Sequence, residues 1–85
     1  MSSARPEKAV VARTLGEVLR ARRSRAGLTQ EGLAERAGLS TKHIAHIERG
    51  ERSPTVFVVL RLAAALDVSA AAMVAAVEDE LSGTG

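Results

Sequence analysis

Between two short stretches of helical apolar spacing stands a break of only three residues, Gly38-Leu39-Ser40. So short a connection with a glycine in it makes the two helices cross steeply. The rest of the chain is punctuated in the same way. Leu15, Val18, Leu19, Arg22 and Ala26 fall at steps of three and four, which predicts a first helix over about 7–26. Gly27 ends it, because glycine takes a positive φ without strain. Thr29 is a good N-cap for a second helix, 30–37, with Leu33, Ala34 and Ala37 inside. Ser40 caps a third, 41–49, with Ile44 and Ile47 inside and Gly50 after it. Pro54 stops any continuation, Thr55 caps a fourth, 56–66, and Ser69 caps a fifth, 70 to about 81. No alternating strand pattern occurs. The expected fold is all-α, a compact five-helix bundle.

Size limits what such a bundle can do alone. At 85 residues it is one domain, and a chain of this length buries only about 60–65% of its unfolded surface. It has no cysteine, so neither a disulfide nor a thiolate metal site supplements the core. A second subunit is the expected supplement. No apolar run approaches the roughly 18–20 residues of a membrane span. The start of the chain also lacks the apolar segment of a signal peptide, so the expected location is cytoplasmic.

Charge is unevenly placed. Residues 1–53 hold eleven Lys/Arg against six Asp/Glu; residues 54–85 hold Arg61 alone against Asp67, Glu78, Asp79 and Glu80. A basic front and an acidic back suit a polyanion on one side. Phe57 is the only aromatic residue. That argues against single-strand binding by base stacking and against a small-molecule pocket. No nucleophile–base set, phosphate-binding glycine loop or paired catalytic carboxylate appears. The consecutive Glu78, Asp79 and Glu80 cannot share one helix face. Neither an enzyme nor a cofactor is expected.

The third helix carries the functional argument. With Ile44 and Ile47 turned inward, its outer face is Thr41, Lys42, Ala45, His46 and Arg49. Every non-alanine member can hydrogen-bond and none is acidic. An α-helix fits the major groove of B-DNA, where each base pair shows its own donor and acceptor pattern. Reading it takes polar side chains near the start of the inserted helix, and Thr41, Lys42 and His46 qualify. A merely solvated face is the alternative, and the turn-and-cap framework favours DNA. His43 and His46 share a face, but a zinc site there would need carboxylates or a second subunit, so no metal is expected.

The segments GLTQEGLAERAGLS, IERGERSPT and LRLAAALDVS, in that order and spacing, resemble the Cro/C1-type (phage-repressor-like, XRE family) helix-turn-helix regulators over about residues 15–74. The resemblance implies a lambda-repressor-like DNA-binding domain with its motif at about 29–49. It also implies a double-stranded DNA partner with a palindromic operator, a homodimer, and association with the nucleoid. Gln30 would meet phosphate through its backbone N–H and side chain, helped by the helix dipole. Ser40 would cap the third helix and also meet phosphate. Thr41, Lys42 and His46 would face bases, with His43 at the edge. Arg49, Arg52 and Ser53 would hold the sugar-phosphate backbone. Arg23 and Glu48 occupy the positions of a structural salt bridge. Phe57 and Val58 stand where the family carries polar residues, beside Val56, Val59 and Leu60 taken as core, so a dimer contact is expected through Phe57 and Val58. Residues 1–8 are expected to form a flexible arm, 9–81 the domain, and 82–85 a frayed tail. Phage-type repressor, restriction–modification controller and antitoxin all remain open settings. A helical protein-interaction module without a DNA role is the rival reading.

Overall fold

Four side-chain caps start four of the helices. Thr29 Oγ1 accepts from the Gly32 N–H at 2.9 Å, Ser40 Oγ from His43 at 3.0 Å, Thr55 Oγ1 from Val58 at 3.2 Å and Ser69 Oγ from Ala72 at 3.0 Å. Each satisfies an N–H that the helix itself leaves unpaired, for about 1 kcal/mol. The computed structural model describes residues 5–83. Among them, five helices occur and no strand: α1 (Lys8–Arg25), α2 (Gln30–Ala37), α3 (Thr41–Glu48), α4 (Val56–Ala65) and α5 (Ala70–Leu81). Residues 1–4 of the expected arm and 84–85 of the expected tail lie outside the described residues.

The turn after α2 works through Gly38, whose φ of 71° is left-handed. Its N–H and that of Leu39 return to the carbonyls of Glu35 and Ala34, which closes the helix and redirects the chain. Leu39 packs half-buried against the core. From α4, Arg61 Nη1 donates to the Ala37 carbonyl at 3.3 Å, so a neighbouring helix also holds the end of α2.

The helices pack as a closed circuit. α1 lies against α3 and α5, α2 against α3 and α4, and α4 against α5. Leu19, Leu33, Ile44, Ile47, Leu62 and Met73 are fully buried at the centre. One side of α3 is pinned by Gly16 of α1: a Cβ there would fall 2.4 Å from the Ile47 carbonyl oxygen and 2.6 Å from that of Glu48. Only glycine lets the two backbones come that close.

Two expectations about inner faces are corrected. Ala26 is exposed rather than inside, because α1 stops at Arg25. The register of α4 also differs. Val58 is only 8% exposed and sits in the core with Leu62, Ala63 and Leu66, whereas Val56 at 75% and Leu60 lie outside. Val58 is therefore not available as a dimer contact. The spacing 58, 62, 63, 66 is the stripe that meets the other helices, and Phe57, one step of about 100° away, is 61% exposed.

Candidate nucleic-acid interface

α3 is held by an ion pair beneath it. Arg23 on α1 donates from Nε to Glu48 Oε2 at 2.6 Å and from Nη2 to Oε1 at 3.1 Å. Its Nη1 donates to the Leu28 carbonyl at 2.8 Å. The two-pronged contact raises the Arg23 pKa above its ordinary value, the hydrogen bond to Glu48 outweighing the loss of water. Glu48 is only 3% exposed in its side chain. Gln30 completes the set, its amide Nε2 donating to Glu48 Oε1 at 3.0 Å. Part of the side chain expected at phosphate is thus engaged inside, while the backbone N–H at the start of α2 has no partner within the helix.

The outer face of α3 is arranged differently. Ser40, Lys42, His43, His46 and Arg52 line one open hollow. Ser40 and Thr41 border a second hollow on the α2 side, where Glu31 and Glu35 also stand. Ser53 lies apart, with Lys8 and Gly50, beside the start of α1. The structure thus brings five of the nine expected DNA residues together at one place. Thr41 is on the adjoining edge, and Ser53 and Gln30 are elsewhere.

Arg49 is not free. Glu51, in the loop just after α3, receives Arg49 Nε on Oε2 at 2.8 Å and Nη2 on Oε1 at 3.2 Å. His46 Nδ1 lies 2.5 Å from the same Oε1. These two contacts hold the exposed Glu51 carboxyl down at about 2, with Arg49 the larger cause and His46 the second. Sequence reading gave Glu51 no role. The signal was there in its spacing, five residues after His46 and two after Arg49. Among the described residues no group of three or more His, Cys, Asp or Glu is placed to hold a metal ion.

Among the described residues the large exposed apolar side chains lie on α4 and α5: Val56, Phe57 and Leu60, with Val74. The Arg61 guanidinium stands 4.7 Å over the Phe57 ring, a cation–π contact.

Comparison with known proteins agrees with this geometry. The model of a helix-turn-helix domain matches residues 14–77. An uncharacterized HTH-type transcriptional regulator of Sinorhizobium fredii, y4dJ, is 42% identical over 58 residues, covering 68% of this chain and 75% of its own. A Mycobacterium tuberculosis HTH-type regulator is 40% identical over 55 residues, and there the match spans 39% of the relative's length. Among solved structures, the restriction-modification controller protein C.AhdI of Aeromonas hydrophila shares 35% identity. It superposes with a TM-score of 0.71 over 73% of this chain and 94% of its own. The clp gene regulator ClgR of Corynebacterium glutamicum shares 25% identity, with a TM-score of 0.80 over 85% and 77%. With its left-handed turn at Gly38 between α2 and α3, its capped third helix and these likenesses, the chain belongs to the helix-turn-helix domain family, among the transcriptional regulators of Cro/C1 (XRE) type.

Proposed function

We propose that the protein binds double-stranded DNA sequence-specifically as a homodimer, each copy placing α3 in the major groove. One observation carries this reading. α3 buries Ile44 and Ile47 completely and turns Lys42, His43 and His46 toward one open hollow shared with Ser40 and Arg52. Lys42 and His46 meet base edges, with Thr41 beside them and His43 at the margin. Ser40, Arg52 and Ser53 meet the sugar-phosphate backbone, and Arg49, whose Nε and Nη2 are held by Glu51, has Nη1 left to reach it. Gln30 contributes the N–H at the start of α2, where the helix dipole favours phosphate. Two half-sites then lie on one side of the duplex, roughly 34 Å or a multiple apart. A restriction–modification controller, like the Aeromonas protein, is the setting that the likeness favours.

Base and phosphate contacts separate experimentally. Lys42→Ala or His46→Ala is expected to relax base preference at particular positions, at about 1–3 kcal/mol each. Arg52→Ala is expected to weaken binding evenly over all sequences and to lower the salt slope by about 1. Binding measured on matched and single-mismatch duplexes over a salt series distinguishes the two. Wild-type discrimination in both α3 variants would rule out base reading by this face.

The homodimer reading rests on the exposed apolar side chains Val56, Phe57 and Leu60 of α4, with Val74 of α5. Its anchor is Phe57, a large ring on a small chain. Phe57→Asp is expected to weaken self-association by about 2 kcal/mol, roughly thirtyfold, and to leave the monomer folded because the ring is outside the core. Sedimentation equilibrium reads both. These exposed side chains also suit a rival, a protein-interaction module without DNA binding. Titration of a mixed duplex at low salt decides, since a regulator shows non-specific binding at about micromolar concentration there.

A further inference from the structure

We propose that Glu51 is a positioning residue that decides which bases His46 selects, by fixing the ring so that Nε2 presents a lone pair to the groove. The inference rests on the reading of α3 as base-facing. Its geometry is the contact between His46 Nδ1 and Glu51 Oε1 at 2.5 Å. The Glu51 carboxyl is ionised well below neutral pH, so it has no proton to give. A bare nitrogen facing a carboxylate oxygen at that distance would be repelled, so the hydrogen sits on Nδ1. In the neutral ring the other nitrogen is then an acceptor.

The surroundings agree. Arg49 Nη2 also approaches Nδ1, but at 3.5 Å, and it is anchored on Glu51 by two shorter bonds. Arg49 therefore locks the carboxylate in place instead of competing for the ring. Lys42 and Arg52, which share the hollow with His43 and His46, can only donate. Nε2 of His46 thus adds an acceptor to a set dominated by donors. On the major-groove edge the donors are adenine N6 and cytosine N4, whereas guanine and thymine offer acceptors at those places. A ring held with hydrogen on Nδ1 selects adenine or cytosine; the opposite tautomer, a donor, pairs with guanine O6 or N7, thymine O4 or adenine N7, and rejects cytosine.

The test is selection of bound duplexes from random DNA at about pH 8. Wild type, H46A, E51A and E51Q are compared. One half-site position is expected to favour adenine or cytosine by about tenfold in wild type and to flatten in H46A alone of all positions. E51A is expected to lose that preference or shift it to guanine or thymine. E51Q, whose amide oxygen still accepts from Nδ1–H, is expected to keep it. Long-range proton–nitrogen correlation spectra of the free protein should show His46 protonated on Nδ1 in wild type and on Nε2 in E51A. The proposal is overturned by a wild-type preference for guanine or thymine at the position that H46A flattens. An undiminished preference in E51A, equal loss in E51A and E51Q, or an Nε2-protonated ring in wild type would overturn it too. If H46A alters no position, the base-facing reading itself fails, which is a separate result.

Discussion

Gly16→Ala is expected to lower the stability of the domain by about 2 kcal/mol or more and to shift α3 relative to α1. The new methyl would stand 2.4 Å from the Ile47 oxygen and 2.6 Å from the Glu48 oxygen. Both are backbone atoms, so no side chain can rotate out of the way. Overpacking of this kind costs about 1–3 kcal/mol and sometimes more, and the lack of any soft neighbour puts it at the upper end. Exchange of glycine for alanine inside a helix returns at most about 1 kcal/mol. The net loss is large for a chain whose whole stability is on the order of 5 kcal/mol. Urea denaturation gives the number, and an unchanged midpoint would mean that the α1–α3 contact is looser than described. Since α3 carries the proposed base-reading residues, DNA affinity is expected to fall even where the variant remains folded.

Arg23→Ala is expected to cost about 3–5 kcal/mol, the range for removing one member of a buried ion pair. Glu48 would keep only the Gln30 amide as a partner while remaining 3% exposed. The loss is larger than for a surface pair because the stranded carboxylate has little access to water. The Leu28 carbonyl would also lose its donor, so amide exchange in the α1–α2 connection is expected to accelerate. The double variant Arg23→Met with Glu48→Leu is expected to recover most of the loss, because no unpaired charge remains. Chemical denaturation of Arg23→Met, of Glu48→Leu and of the double variant completes a thermodynamic cycle, with Arg23→Ala measured beside it. Equal destabilisation in Arg23→Met and the double variant would show that shape, not charge, is what the site requires.

The helix starts were legible because each rests on one local residue. Thr29, Ser40, Thr55 and Ser69 announce their caps, and Gly38 announces the sharp turn, without reference to the rest of the chain. Arg23 and Glu48, 25 residues apart, came only through family likeness, since no local rule joins them. The face of α4 was misread for a reason of contrast. In VFVVLRLAAA only Arg61 is polar, so periodicity has almost nothing to work with, and the position of Val58 is decided by the helices it meets. Gly16 was silent because its importance lies in the atoms it lacks. Glu51 looked like one more loop carboxylate, and its partnership with His46 and Arg49 depends on how the chain curls back after Gly50.

The circuit of helix packing separates two surfaces. α3 has α1 and α2 as its principal neighbours, while the exposed apolar side chains stand on α4 and α5. Substitutions on the polar face of one pair therefore leave the scaffolding of the other largely undisturbed. Under the proposed assignment of α3 to bases and of Phe57 to self-association, base preference can drift without reworking the contact between copies, whereas a change on α4 alters the spacing of half-sites and leaves the bases read in each one alone.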